Sequence, residues 1–587
     1  AAGDFHLSAL DDIARDAGTD LAADSDLSVS TDIDAQNRPI GGGYDIGADE
    51  ACLPVFRSVG PGAASSLASG TGNDLTVSGL TVTFSSAVAQ RIGVGDVIEY
   101  DYNNSGSANK IAFISGRTDS RTFTVRSLTG STPAQTTALD QDWEIFRAYI
   151  ALADWEDGTE NSGCSLFGSP SLSDTGDRDI SSAGEQWNIA CYANGTTADT
   201  ERVTINDWTT DKNAYIRIFT PVTSDEVGVS QRHKGRWTTG AYHLAVSTND
   251  VIQVYDGYVR IDGLQIGQSG TELGIIVNYV DLSTVHISNN LIRSITGNGG
   301  YGVTVYDHDI TAAYVWNNII YGGWFRGYYG TPDNGYSYFY NNTVVGCDDA
   351  GVRGDGMGDG PPDDHIIYAR NNIVIDTANG NDWHLIDGSP YSTNNISDSE
   401  TPPGDNALQG EPEFADKDAE DYHLSLNDTL ARDAGANSSL TADTLLFADD
   451  VDGTERGAAW DIGADEVPVD FVSVLSESGG DYTSLDSWEH EVQSDITTPD
   501  TRLFSGTITG TLSEDDSVSI YAIPLGLTVS GTVIAVTDEG QLLVDNIDSA
   551  VPLYVASGDV WLLDGSNYFT VSGSGDDLGA SARAVCK

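Results

Sequence analysis

The chain has 587 residues, more than one compact core accommodates, so several domains or an elongated repeat are expected. Its formal charge is −62, from 27 Lys and Arg against 89 Asp and Glu, which excludes nucleic acid and anionic membranes as ready partners. The 11 Trp, 26 Tyr and 39% hydrophobic residues argue against disorder, and no apolar run is long enough to insert into a membrane.

Residues 1–50 open Ala1-Ala2-Gly3-Asp4, with neither initiator Met nor signal peptide, which reads as a processed or trimmed start. They hold Asp4-Phe5-His6-Leu7-Ser8, Ala14-Arg15-Asp16-Ala17-Gly18 and Asp45-Ile46-Gly47-Ala48-Asp49-Glu50. The three blocks recur as Asp421-Tyr422-His423-Leu424-Ser425, Ala431-Arg432-Asp433-Ala434-Gly435 and Asp461-Ile462-Gly463-Ala464-Asp465-Glu466, 416 to 417 residues later. Asp32 and Asp34, like Asp450 and Asp452, set carboxylates at alternating positions and are candidate calcium ligands. The acidic surface likewise favours bound divalent cations.

Residues 51–148 alternate short apolar runs with Gly/Asp/Ser turns and predict a small β-sandwich or barrel. Residues 149–420 predict a solenoid body, with a short helix near 150–158 covering its first rung. Its main signal is five Asn-Asn pairs, Asn289-Asn290, Asn317-Asn318, Asn341-Asn342, Asn371-Asn372 and Asn394-Asn395, spaced 28, 24, 30 and 23 residues apart. Apolar residues follow most pairs, as in Leu291-Ile292 and Ile319-Ile320. One β-like run per 20–30 residues is the period of a stacked coil, with each Asn over the Asn of the next. Such stacked amides hydrogen-bond along the axis and hold the bend into the next strand.

Residues 421–466 then read as the solenoid's closing segment, and 467–587 as a β-rich domain with a helical stretch near 482–493. Tyr482-Thr483-Ser484-Leu485-Asp486-Ser487-Trp488-Glu489 echoes Tyr149-Ile150-Ala151-Leu152-Ala153-Asp154-Trp155-Glu156, so this domain is a candidate head of a following module. The chain therefore holds a closing segment without a body (1–50), a complete module, and a head without a body. It is a slice of a tandem array, or successive chains complete each other head to tail, or the segment is simply duplicated and the ends fold independently.

Five cysteines, Cys52, Cys164, Cys191, Cys347 and Cys586, show no metal-ligand spacing. Cys164 and Cys191 bracket a polar loop and are read as an intrachain disulfide, which fits export. Cys52 and Cys586 lie in the end regions, and the sequence leaves open whether they form an intersubunit disulfide.

The Asn ladder, the Tyr258–Gly263 rung and the closing Asp461–Glu466 block resemble pectate-lyase-like right-handed parallel β-helix proteins. The stretch Asp421 to Glu466, including Asp450-Val451-Asp452-Gly453 and Arg456, resembles the tail of large bacterial surface β-helix proteins of the choice-of-anchor type. The resemblance covers roughly 150–466 plus 1–50 and implies an all-β, right-handed parallel β-helix flanked by small β domains. It does not fix activity, because the fold carries lyases, hydrolases, tailspikes, adhesins and structural proteins.

Lyases of this fold use a Lys or Arg base beside carboxylate-bound Ca²⁺. The catalytic candidates on that pattern are Asp348, Asp349 and Arg353, with a charge-balancing ion pair as the competing and favoured reading. Asp348-Asp349 also resembles the paired aspartates of polygalacturonase-like hydrolases, whose Gly-His-Gly and Arg-x-Lys motifs are missing here. Tyr306-Asp307-His308-Asp309 and Asp382-Trp383-His384 offer groups for a metal or for acid and base, with polar turns as the favoured reading. The aromatic run Trp324–Tyr329, with Tyr336, Tyr338, Phe339 and Tyr340, fits either sugar stacking or ring ladders on the coils.

Together these features favour a non-enzymatic structural protein of the cell exterior, a head-to-tail homopolymer with calcium as its one expected cofactor. The alternatives are a glycan-binding adhesin or tailspike-like module that recognises a surface glycan, and an acidic-polysaccharide lyase.

Overall fold

A computed structural model describes residues 44–168 and 178–467, apart from short breaks at 279, 281, 298, 307–309, 332–334, 355–365, 385, 387–391 and 438–446. It also describes residues 7, 14–15, 17–21, 30–33 and 38, and the backbone of six strands between 502 and 571. Residues 1–469 and 470–587 form two separate units.

Three parallel sheets form the body of the first unit. The first sheet stacks Leu53–Val59, Glu185–Cys191, Ile216–Phe219, Val259–Asp262, Thr284–Ser288, Ala312–Trp316, Tyr336–Tyr340 and Ile366–Arg370. The second runs from Val203–Ile205 to Trp383–His384, and the third from His243–Val246 to Leu408–Gln409. Each full coil visits the first, third and second sheet in turn, as in Val259–Asp262, Gln265–Gln268 and Ile275–Asn278. This is the parallel β-helix that the repeat spacing predicts.

In-register stacking of like residues explains why the coils hold together. Ile218, Ile261, Ile287, Val315 and Phe339 pair successively along the first sheet, and all are fully buried. Each such side chain contributes about 1.5–3 kcal/mol of burial, enough to fix a register that a one-residue slip would invert.

The first rung lies earlier than the sequence suggests. Leu53–Val59 falls in the stretch read as a separate β domain, yet it pairs in parallel with Glu185–Cys191. Residues 68–146 are inserted between these two rungs as a seven-stranded antiparallel sheet, ordered Ala68–Ser69, Trp143–Phe146, Val97–Tyr100, Lys110–Arg117, Thr122–Arg126, Thr81–Phe84, Leu75–Ser78. Leu75 N donates to Asp140 O at 2.8 Å, bringing the last strand back beside Trp143–Phe146 in barrel fashion. Buried Arg147 joins the insert to the helix, donating to both Asp96 oxygens at 2.6 and 2.7 Å and lying 3.5 Å over the Tyr192 ring.

The short helix α1, Leu152–Asp157, buries Leu152 and Trp155, and Trp155 stacks on Trp208 at 5.6 Å. It packs against Val203–Ile205, the edge strand of the second sheet, while Tyr149 pairs with Val59 at the edge of the first. Both edges are thereby blunted. The second unit holds a six-stranded antiparallel sheet spanning Arg502–Thr509 to Asn567–Val571. The helical stretch expected at 482–493 lies outside the described residues.

Candidate functional site: the asparagine corner and its closing segment

Each Asn-Asn pair is the entire two-residue turn between the first and third sheets. Asn289, Asn317, Asn341, Asn371 and Asn394 all adopt left-handed backbone, with φ between 50° and 56°. Asn tolerates this region better than other side chains. One coil before the pairs, Gly263 fills the same place with φ 76°, and one coil after them Asn406 does so with φ 52°. Sequence reasoning missed these two because neither is followed by a second Asn.

The second Asn of each pair points inward and is fully buried. Asn290, Asn318, Asn342 and Asn372 each donate from Nδ2 to the Oδ1 of the next, at 3.0, 3.0, 3.2 and 3.0 Å. Each such Oδ1 also accepts the backbone N–H of the preceding Asn, and Leu264 N closes the row on Asn290 Oδ1 at 2.9 Å. Every turn is thus bonded to its neighbour through side chain and backbone together.

The first Asn of four of the pairs, Asn317, Asn341, Asn371 and Asn394, bonds to the closing segment, which lies along the side of the helix. Asn371 Nδ2 donates to Ala436 O and Asn394 Nδ2 to Ala434 O, at 2.7 and 2.8 Å. Gly463 N donates to Asn371 O at 2.8 Å, and Asn317 Nδ2 to Asp449 O at 2.7 Å. Arg456, whose side chain is fully buried, donates to Asn317 Oδ1 at 2.9 Å, to Gly463 O and Ala464 O at 3.1 Å, and pairs with Glu466 at 3.2 Å. Below the segment, buried His233 donates from Nε2 to Asn289 O at 2.9 Å. Burial, then the Arg232 charge beside it, hold that imidazole neutral, with its pKa pushed down to about 3.

Beside these polar contacts runs an apolar one. Leu291, Ile319, Tyr321, Ile373 and Ile396 on the outer face of the third sheet pack with Tyr422, Leu424, Val451, Ile462 and Ala464 of the segment. The signal was present in the sequence: adjacent apolar residues such as Leu291-Ile292 mean that both faces of the strand are covered.

The described residues among 1–50 make the same local contacts. Leu7 N and Leu424 N donate to Asp49 and Asp465 Oδ2, both at 2.7 Å. Gly18 N reaches Tyr44 O at 2.6 Å, and Gly435 N reaches Trp460 O at 2.7 Å. Asp45 N and Asp461 N each donate to the following glutamate, Glu50 or Glu466, at 2.9 Å. Arg38 pairs with Glu50 as Arg456 does with Glu466. What differs is the covering. Ile462 and Val451 are fully buried, whereas their counterparts Ile46 and Ile33 are 55% and 69% exposed. A Cβ on Gly463 would meet Ile373 at 2.6 Å, while one on Gly47 would meet nothing within 4 Å.

The remaining expected sites fall as follows. Asp349 accepts from Arg326 Nε at 2.9 Å and lies 3.7 Å from Arg353, an ion-paired bridge on the outer face of the second sheet. Asp348 N donates to Trp324 O at 2.8 Å, a backbone bond between coils. Tyr314, Tyr338 and Tyr368 form a ring ladder on the first sheet, with centroids 4.7 and 5.0 Å apart and near-parallel planes. Asp382 is buried and accepts from the Ser397 and Ser399 hydroxyls at 2.5 and 2.6 Å. Asp307, His308 and Asp309 lie outside the described residues.

The Cys164–Cys191 disulfide is not formed. Both are buried free thiols: Cys164 Sγ faces Glu99 Oε1 at 3.1 Å, and Cys191 closes a strand inside the first coil. Cys52 is also buried and free, and Cys586 lies outside the described residues. Asp450 accepts backbone N–H bonds from Asp452 and Thr454 on Oδ1 and from Glu466 on Oδ2, at 3.1, 2.7 and 3.0 Å. Asp452 Oδ1 accepts from the Thr454 hydroxyl at 2.9 Å, and Asp32 accepts from Glu50 N at 3.3 Å. Asp34 lies outside the described residues.

In comparisons with known proteins, no family model and no curated sequence matches this chain.

Proposed function

We propose that this is a structural protein of the cell exterior, of the pectate-lyase-like surface β-helix type, whose units join head to tail into a filament or array. The observation that carries this reading is the pair of closing segments with one internal structure and opposite exposure. Residues 421–467 cover the asparagine corner of the chain's own helix. The described residues among 1–50 repeat that segment's contacts and are open along Ile33 and Ile46–Ala48. A folded face of that kind is completed by an aliphatic sheet edge with left-handed Asn turns, supplied by a neighbouring unit. Calcium at the acidic surface would offset the repulsion between units of charge −62.

Ile46→Asp tests it. Ile46 is already half exposed, so the variant is expected to keep its fold but lose the concentration-dependent end-to-end species of the wild type in sedimentation velocity. Wild-type protein that stays monomeric at all concentrations, with or without Ca²⁺, would contradict the reading. A second reading, glycan binding, is favoured by the half-buried Tyr314–Tyr338–Tyr368 ladder, because sugar rings stack on such faces. Binding on a glycan array that Tyr338→Ala abolishes would establish it.

A further inference from the structure

The seam of the antiparallel insert brings three carboxylates together. Asp101 follows Val97–Tyr100, and Asp140 and Asp142 precede Trp143–Phe146. These strands are neighbours, with Tyr100 opposite Trp143, and Asp101 N donates to Asp142 O at 3.2 Å. One oxygen from each carboxylate lies within 4.8 Å of the others. Asp101 and Asp140 are buried, at 1% and 6% exposure, and Asp142 is exposed. Among the described residues, no Lys, Arg or His is ion-paired with any of them. Like charges this close in a partly buried site repel unless a cation lies between them.

A separate observation points to a ligand. Asp140 Oδ1 accepts from Asp142 N at 3.0 Å, but its Oδ2 is buried and accepts no hydrogen bond at all. A buried carboxylate oxygen without a donor is costly, and a coordinated ion satisfies it.

The loop that follows Asp101 supplies neutral oxygens of the matching kind. It reads Asp101-Tyr102-Asn103-Asn104-Ser105-Gly106-Ser107-Ala108-Asn109, with oxygen-bearing side chains at alternating positions and Gly106 at φ 88°. That is the order in which hard-cation loops place their first three ligands and their turn glycine. Asp101 Oδ1, Asn103 Oδ1 and Ser105 Oγ converge on the single nitrogen Asn109 Nδ2, at 2.8, 2.9 and 3.0 Å. An amide nitrogen has two protons for these three acceptors. The twelfth position of the loop, where a bidentate glutamate would close such a site, is Ala112. Asp140 and Asp142 bring the missing carboxylates from the neighbouring strand instead.

We propose that Asp101, Asp140 and Asp142, with the side-chain oxygens of Asn103 and Ser105, form a Ca²⁺ site that staples the seam of the insert. A set of flexible oxygens rich in carboxylates suits Ca²⁺ better than Mg²⁺, which demands a tight octahedron and keeps its waters. This site is independent of the assembly reading and of the aspartates in the closing segments.

Trp143 follows Asp142 directly, so Tb³⁺ in the site is expected to luminesce on indole excitation. The experiment titrates the full chain with Tb³⁺ and then Ca²⁺, in excess Mg²⁺ and moderate salt to suppress diffuse binding to the acidic surface. The wild type should show one saturable site that Ca²⁺ empties. Asp142→Asn, at an exposed position, should weaken it at least 10-fold with an unchanged circular dichroism spectrum, and Asp140→Asn should do the same or more. Affinity and luminescence unchanged in both variants would overturn the proposal, as would Ca²⁺ failing to displace Tb³⁺.

Discussion

Replacing Asn342 with Ala is expected to destabilise the β-helix by about 3–4 kcal/mol, the sum of one or two buried groups left unbonded. Asn342 Nδ2 shares its two protons among Val315 O, Tyr340 O and Asn372 Oδ1, and its Oδ1 accepts from Asn318 N and Nδ2. Ala removes all of these in a turn that is fully buried. The outward neighbour behaves differently. Asn341 has φ 50°; its Nδ2 makes only long bonds, at 3.3 and 3.4 Å, to Asp461 O and Gly463 O, and its Oδ1 accepts from Asn371 Nδ2 at 3.1 Å. Asn341→Gly is therefore expected to cost less than Asn341→Ala, because glycine adopts that backbone without strain. Denaturation midpoints of the three variants test the order, and a harmless Asn342→Ala would mean that the ladder does not hold the coils.

Arg456→Met is expected to cost about 3–5 kcal/mol and to release the closing segment, as breaking one partner of a buried ion pair does. Its guanidinium bonds three carbonyls at 3.1 Å, the Asn317 amide and the Glu466 carboxylate, so one side chain ties the segment to itself and to the helix. Losing it leaves Glu466, 4% exposed, without its counter-charge. Release uncovers Leu291, Ile319 and Ile373, so the variant should bind a hydrophobic dye and be cut by protease within 429–467 while the coils remain protected. Protection of that segment equal to wild type would contradict the role.

The fold was legible because a repeat is written many times over. Five Asn pairs at near-constant spacing fix the coil, the turn and the inward amide at once, and the structure has all three. The start of the helix was not legible. Leu53–Val59 reads as one more strand of a β domain, and its parallel partner at Glu185–Cys191 is separated from it by the whole insert. Local pattern carries no information on a pairing that distant. The thiols misled for a related reason: bracketing a loop in sequence does not aim two side chains at each other. The docking of the described residues of 421–467 along the corner was visible in part, as apolar pairs such as Leu291-Ile292, Ile319-Ile320 and Ile373-Val374 after three of the Asn-Asn pairs. Arg456 gave no local sign of its role, because its partners lie 139 residues away at Asn317 as well as nearby.

The central claim is that the open closing segment joins units end to end, and electron cryomicroscopy of the undenatured protein at moderate salt, with and without chelator, tests it most directly. The account predicts regular filaments with an axial repeat near one chain length, in which residues 1–50 sit on a neighbour's asparagine corner as 421–467 sit on their own. Isolated rods with that face bare would contradict it.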